Sequence, residues 1–245
     1  MTISQSHPNY KTLIIRERLA KMVDNGLVDK TGLISHGRGE AFDYLMGGKT
    51  LEPSLESEKV AAAHLLKAKK PLICVNGNAA VLDAEKLIQL ANTIPAPLEV
   101  NLFHRTEERV EKLIEYLESK GGKNILGKLP TAKIPGLDHS RALCSEDLYN
   151  CDCILVPIED GDRAEALVNM GKVVISIDIN PISRTSKTAT VPISDEMSRA
   201  LTNIIIFIKV LKGRNNEIDS LITSFSCTQN RKAVLSEISK FLKLQ

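Results

Sequence analysis

Apolar, β-branched runs in this chain stop abruptly at short polar clusters, and each cluster is followed by a segment of helical character. The clusters are Asn76-Gly77-Asn78, Asn101 to Thr106, Glu159 to Arg163 and Asp178 to Thr185. Strands separated by helices of this length leave few solutions open. The strands lie mainly parallel, right-handed crossovers cover both faces with helices, and the polar clusters collect at the carboxyl edge of the sheet. Open sheets of this kind gather ligands at that edge. The expected class is therefore α/β: a Rossmann-like, mainly parallel sheet with helices on both faces, plus an N-terminal helical segment and a C-terminal helical tail.

Pro71 to Val75, Leu98 to Phe103, Ile154 to Ile158 and Val173 to Ile179 read as strands, Ile125-Leu126 as a short one and Thr190 to Ile193 as an edge. Between them helices are predicted over Ala79 to Ile94, Glu107 to Ser119 and Arg163 to Met170, with a further one over Glu196 to Lys212 capped by Asp195. Two helical patterns come first: Thr12 to Asn25, closed by Gly26, and Ser57 to Lys70, stopped by Pro71. Gly213-Arg214-Asn215-Asn216 breaks the pattern before an amphipathic tail, Glu217 to Leu244. Residues 1–70 are expected to pack on an α/β core of residues 71–212, with residues 213–245 appended.

Thirty-two Lys+Arg against 30 Asp+Glu leave a formal charge of +2, without the basic excess that broad binding to nucleic acid requires. With no Trp and aromatics at 4%, base-stacking platforms have little material. The longest apolar stretch, Ile204 to Ile208, falls far short of the roughly 20 residues of a membrane span. Met1 to Tyr10 lacks the apolar region of a secretory signal, so the expected location is the cytoplasm. Of the five cysteines, Cys74, Cys151 and Cys153 lie in or beside strand-like runs as small hydrophobes, and no pairing at zinc spacing follows.

Several constellations carry chemistry. In Ser35-His36-Gly37-Arg38-Gly39-Glu40, glycines flank an arginine. Read as a loop, this lets backbone approach a ligand while Arg38 grips a phosphate or carboxylate; alternatively Arg38 pairs with Glu40 or Asp43. Asn76-Gly77-Asn78 starts a helix whose free N–H groups face the sheet edge, as an anion site or a plain Asn cap. Asn101, His104 and Arg105 sit where a strand ends, and His104 is either a proton carrier or an ordinary loop residue. Glu159, Asp160 and Asp162 crowd three carboxylates at a strand end, which suits magnesium carried by a nucleotide or a solvated capping turn. Asp178, Asn180, Arg184 and Thr185 suit ribose and phosphate, or a capped loop. Arginines 16, 38, 105, 163 and 184 together imply several phosphates.

Gly32 to Leu45, Val75-Asn76-Gly77-Asn78, Glu99 to Phe103, Ile134-Pro135-Gly136-Leu137, Pro157 to Leu167 and Asp178 to Thr185 resemble the archaeal phosphopantothenate synthetases, the 4-phosphopantoate:β-alanine ligases of coenzyme A biosynthesis. The resemblance covers most of the chain. It implies a homodimeric enzyme that joins 4-phosphopantoate to β-alanine, splitting ATP to AMP and pyrophosphate through an acyl-adenylate. Carried over by position, ATP contacts fall on Arg16, Arg38, Asp178, Ile179, Asn180, Arg184 and Thr185, with Glu196 and Met197 as a rim. The phosphopantoate site is expected among His36, Asn76, Asn78, Asn101 and Arg105, with Arg38, His36, Asn101 and Arg105 as catalytic candidates.

Ser35 and Asn9 stand where the family pattern suggests Ala and Arg, Met46-Gly47-Gly48 softens the segment after the motif, and the tail from Gly213 matches nothing placed. An amphipathic tail is expected to find its apolar partner between protomers. Two rival classes are weighed. A regulatory module would bind ATP without turnover, and a nicotinamide oxidoreductase would need the glycine fingerprint that this chain lacks.

Overall fold

A computed structural model describes residues 4–7 and 9–244. Among the described residues eight strands are formed: β1 (Pro71–Val75), β2 (Leu98–Val100), β3 (Ile125–Leu126), β4 (Ala132–Lys133), β5 (Leu143–Cys144), β6 (Cys153–Pro157), β7 (Val173–Ile177) and β8 (Val191–Ile193). Six of them make one sheet in the order β3-β2-β1-β6-β7-β8, every pairing parallel, while β4 and β5 form a small antiparallel pair. The central strands β1 and β6 are near-continuous apolar runs because helices cover both of their faces. Chain direction across the sheet reverses between β1 and β6, so the loops leaving these two strands diverge and open a crevice.

The helices are α1 (Tyr10–Asp24), α2 (Lys30–Leu45), α3 (Glu52–Lys67), α4 (Gly77–Thr93), α5 (Glu107–Ser119), α6 (Glu146–Asn150), α7 (Gly161–Asn169), α8 (Arg184–Thr188), α9 (Met197–Leu211), α10 (Asn215–Ser224) and α11 (Cys227–Lys243). The helix α5 spans the residues predicted. Elsewhere the structure departs from the pattern, each time for a local reason. The expected Ser35 to Glu40 loop is helix: Asp29 caps α2 by accepting from Thr31 N at 2.9 Å, and Gly37 and Gly39 are tolerated inside it at roughly 1 kcal/mol each. The helix α3 starts earlier than expected, at Glu52, with Pro53 in the first turn where a missing N–H costs nothing. Glu196, not Asp195, caps α9, accepting from Ser198 N at 2.9 Å and Arg199 N at 3.0 Å. The helix α4 is kinked at Asp83, and the carbonyls of Val81 and Leu82 there receive the Arg18 guanidinium.

One apolar cluster contains Leu19 of α1, Val60 of α3, Val75 of β1, Ile204 of α9 and Ile218 of α10, so all three predicted segments contribute to it. Part of the tail's apolar side is covered within the chain, while Leu235, Leu242 and Leu244 stay exposed. Val234 and Ile238 of α11 pack with Met46 and Leu51. Asn230 is buried, donates to the Pro53 carbonyl at 2.7 Å and accepts from Ser57 Oγ at 2.8 Å, fastening α11 to α3 of the same chain.

Candidate functional site

Beyond the carboxyl ends of β6, β7 and β8 lies a cavity of about 610 Å³. Its floor is Ile158 to Gly161, Ile177 to Asn180 and Asp195 to Met197, and α2 lies across it with residues from Ser35 to Asp43. Close approach of α2 to the core depends on Gly32, where a Cβ would sit 2.4 Å from Asn78 Oδ1. Asn78 instead donates to the Gly32 carbonyl at 2.8 Å.

Each floor loop is made by local polar chemistry. Asp178 ends β7 and accepts from Asn180 N at 3.0 Å and from the Ser183 hydroxyl. Burial pushes its carboxyl above the usual range, against these bonds and the nearby charge of Arg38. Asn180 accepts from Ile182 N at 3.0 Å, and Thr185 Oγ1 donates to the Glu159 carbonyl at 2.7 Å, tying the β7 loop to the β6 loop. Gly161 is required at the start of α7, since a Cβ there would lie 2.5 Å from Cβ and Cγ of Arg184. Burial also raises the Glu196 carboxyl, although two backbone N–H groups favour its ionised form.

Ile158, the first residue after β6, has φ of 52°. A β-branched side chain in the left-handed region is strained by roughly 1–2 kcal/mol, and something must hold it there. The Asn76 amide does so, donating to the Pro157 carbonyl at 3.1 Å and the Ile158 carbonyl at 2.9 Å while its own oxygen caps α4. Asn76 thus locks the two central strands together where chain direction reverses.

Cations divide into engaged and available. Arg16 makes a two-pronged contact with Glu40 at 2.7 and 3.0 Å, and Asp43 pairs with Arg199 at 2.5 Å. Neither acid therefore neutralises Arg38, which donates only to Ser35 Oγ at 3.2 Å and has no ion-pair partner among the described residues. Its charge reaches Asp160 on one side of the cavity and Asp178 on the other. Arg184 is largely exposed and pairs with Glu165. His36 lines the cavity, and burial lowers its pKa below the ordinary 6.5.

The expected phosphopantoate set falls differently. Asn76, Asn78, Asn101 and Arg105 are not among the residues lining the cavity. Asn101 is buried between the Cys74 thiol and Glu99, and Arg105 donates to the Gly127 carbonyl at 2.5 Å. His104 stacks edge-on against Phe103, with its carbonyl taken by Arg109.

Nor do the three carboxylates at the end of β6 converge. Asp162 is gripped at both oxygens by Arg141 at 2.6 and 2.7 Å, which holds its pKa down. The largely covered Glu159 faces Arg163 at 3.5 Å, and Asp160 lies 3.5 Å from Arg141. Arginine charge does here what a bound cation was expected to do, and among the described residues no three His, Cys, Asp or Glu side chains are placed to hold a metal ion. The direct magnesium set Glu159, Asp160 and Asp162 is therefore not supported by this geometry.

Two groups beside the cavity went unread in the sequence. Arg199 joins Asp43 of α2 to Asp195 of the cavity floor, with Asp195 at 2.7 Å. Its spacing of four residues from Asp195 was the available signal. Glu58 of α3 is fully buried, within hydrogen-bond reach of Asp195, and accepts from Asn203 Nδ2 at 2.8 Å. Nothing in its helical neighbourhood marked it.

Strand order, crevice and a cavity walled by hydrogen-bonded loops around one available arginine define an α/β protein of the doubly wound class, with its cavity at the carboxyl edge of the sheet. The phosphopantothenate/pantothenate synthetase family matches residues 53–241, and the chain belongs to that family. A 4-phosphopantoate–beta-alanine ligase of Methanosarcina mazei is 47% identical over 243 residues, covering 98% of this chain and 96% of the relative. Enzymes of the same name from Methanospirillum hungatei and Thermococcus kodakarensis are 53% identical over 206 residues and 44% over 219, covering 84% and 89% of this chain and 84% of each relative.

Proposed function

We propose that this protein is the ATP-dependent ligase that condenses 4-phosphopantoate with β-alanine to 4′-phosphopantothenate in coenzyme A biosynthesis, releasing AMP and pyrophosphate through an acyl-adenylate. The observation that carries the reading is the identity of 44–53% to enzymes of that name over most of the chain. The cavity agrees with it. A homodimer in the cytoplasm completes the reading, and the regulatory-module alternative is not favoured by the same relatives.

Within that reading Arg38 meets the nucleotide phosphates, since it is the cavity arginine with no acid to satisfy it. Asp178, Ile179 and Asn180 form the shelf for the sugar and base, Arg184 and Thr185 close the phosphate side, and Glu196 with Met197 forms the rim. Arg16 acts through Glu40, setting α2 over the site. Adenylation requires the phosphopantoate carboxylate to attack the α-phosphate, so its chemistry is positioning plus charge stabilisation, both supplied by donors held around the cavity. Covering the cavity with α2 keeps water from the mixed anhydride. Asn76, Asn78, Asn101 and Arg105 contribute by holding the loops around the crevice. Magnesium enters as the counter-ion of ATP, with no step assigned to it.

Incubation of the protein with Mg-ATP, 4-phosphopantoate and β-alanine, followed by chromatography and mass spectrometry, tests the reading. 4′-Phosphopantothenate and AMP that appear only with all three substrates support it. ADP in place of AMP would replace the adenylate with an acyl-phosphate, and ATP binding without turnover would overturn the ligase.

A further inference from the structure

We propose that His36 is the base that takes the proton from the β-alanine ammonium, freeing the amine to attack the activated carboxyl group. The inference rests on the ligase reading and assigns a residue to the half of the reaction that amine activation controls. An ammonium group is not a nucleophile, so some group at the cavity must accept its proton.

The titratable groups lining the cavity narrow the choice. Glu40 is held by Arg16 and by the Tyr44 hydroxyl at 3.1 Å. Asp43 and Asp195 share Arg199. Asp178 accepts from Asn180 N and Ser183, and Glu196 from two backbone N–H groups. Glu159 faces Arg163 and accepts from Asp160 N at 2.9 Å, while Asp160 lies beside Arg141. His36 alone among these lining groups has neither a hydrogen bond nor an ion pair from its side chain among the described residues. It is also the sole histidine of the lining.

Its surroundings suit the task. The charged groups acting on it are Glu40, one helical turn along α2, and Arg16 from α1, and these oppose one another. Burial outweighs both and keeps the ring neutral near pH 7, ready to accept a proton. His36 lies two residues from Arg38 on the helix that covers the cavity, so the base and the cation proposed for the phosphate come from one rigid element.

One ammonium proton passes to a ring nitrogen of His36. The amine lone pair then forms the C–N bond at the acyl carbon, and the C–O bond to AMP breaks with its electron pair leaving on the phosphate. The second nitrogen proton departs with that phosphate, giving the neutral amide, and His36 returns its proton to solvent.

Two half-reactions separate this role from any other. In His36→Gln, ATP–pyrophosphate exchange supported by 4-phosphopantoate alone should persist, because adenylation uses no amine. Amide formation with β-alanine should fall about 100-fold or more, in the range of a lost general base. Hydroxylamine, an amine already uncharged at neutral pH, should bypass the defect and trap the acyl group at close to the wild-type rate. Exchange in the variant also reports that it is folded, and His36→Asn serves as a second variant in the same assays. Loss of exchange in step with amide formation would overturn the proposal and place His36 in substrate binding. Undiminished β-alanine turnover, or an equal loss with hydroxylamine, would overturn it as well. Absence of exchange in the wild-type protein would instead overturn the adenylate route itself, and this step with it.

Discussion

Glu58→Gln is expected to stabilise the protein at neutral pH, by an amount that grows with pH. Glu58 has no exposed surface, and its Oε1 lacks a partner among the described residues. Burial first, and the charge of Asp195 second, push its pKa from 4.5 to about 9. A proton on Glu58 supplies the missing donor toward Asp195, which also accepts from Arg199 at 2.7 and 2.9 Å, from Thr50 Oγ1 at 2.5 Å and from Glu196 N at 2.7 Å. Above pH 4.5 the unfolded chain releases that proton and the folded chain keeps it. The contribution of the protonated group is therefore complete below pH 4.5 and declines steadily until the folded group ionises near pH 9. At about 1.4 kcal/mol per pH unit, holding the proton costs about 3 kcal/mol at pH 7. The figure depends on the folded pKa only in requiring that it exceed 7. Glutamine keeps the shape, accepts from Asn203 and donates to Asp195 with its amide, so it escapes the cost. Urea unfolding of both proteins at several values between pH 5 and 8 measures the difference. A gap that widens by about 1.4 kcal/mol per unit is expected. A gap that does not change with pH would refute the claim that Glu58 is a neutral acid in the folded protein.

Other substitutions test the walls of the cavity. Arg199→Gln leaves the fully buried Asp195 carboxylate without its guanidinium and should cost roughly 3–5 kcal/mol in chemical denaturation, with a raised KM for ATP as α2 loses its tie. Asn76→Ala removes a helix cap and two bonds to strand-end carbonyls, an expected loss of about 2–4 kcal/mol by the same measurement. Gly161→Val drives a side chain into Cβ and Cγ of Arg184 and should raise KM for ATP about tenfold, equivalent to ~1.4 kcal/mol, and lower stability by roughly 1–3 kcal/mol in chemical denaturation. Met46→Ala opens a hole between α2 and the tail; a loss of roughly 2–5 kcal/mol would confirm that the tail is part of the folded unit.

Much of this site was legible because it is written in local patterns. The residues Asp178 to Thr185 carry the cap and turn chemistry that builds their own loop, so the cluster that suggested ribose and phosphate contacts does line the cavity. The asparagines were ambiguous for a related reason. An amide that can hold a ligand can equally hold a backbone carbonyl, and only the distance to Pro157 and Ile158 showed which Asn76 does. The segment around Arg38 misled in the other direction, since two glycines look like a loop until Asp29 and the contacts of α2 are seen to pay for the helix.

The sequence by itself determined the α/β class, the parallel strands, the carboxyl-edge clusters and the tie to a family, because periodicity, caps and motifs act over a few residues. Tertiary structure alone decided the pairing of charges. Arg199 with Asp43, Arg16 with Glu40, Arg141 with Asp162 and Glu58 against Asp195 bring together residues between 21 and 156 positions apart. Coulombic and hydrogen-bond energies depend on separation in space and on burial, neither of which the order of residues records. That is why Arg38 emerged as the available cation and His36 as the available base only once every neighbouring acid had been matched with its partner.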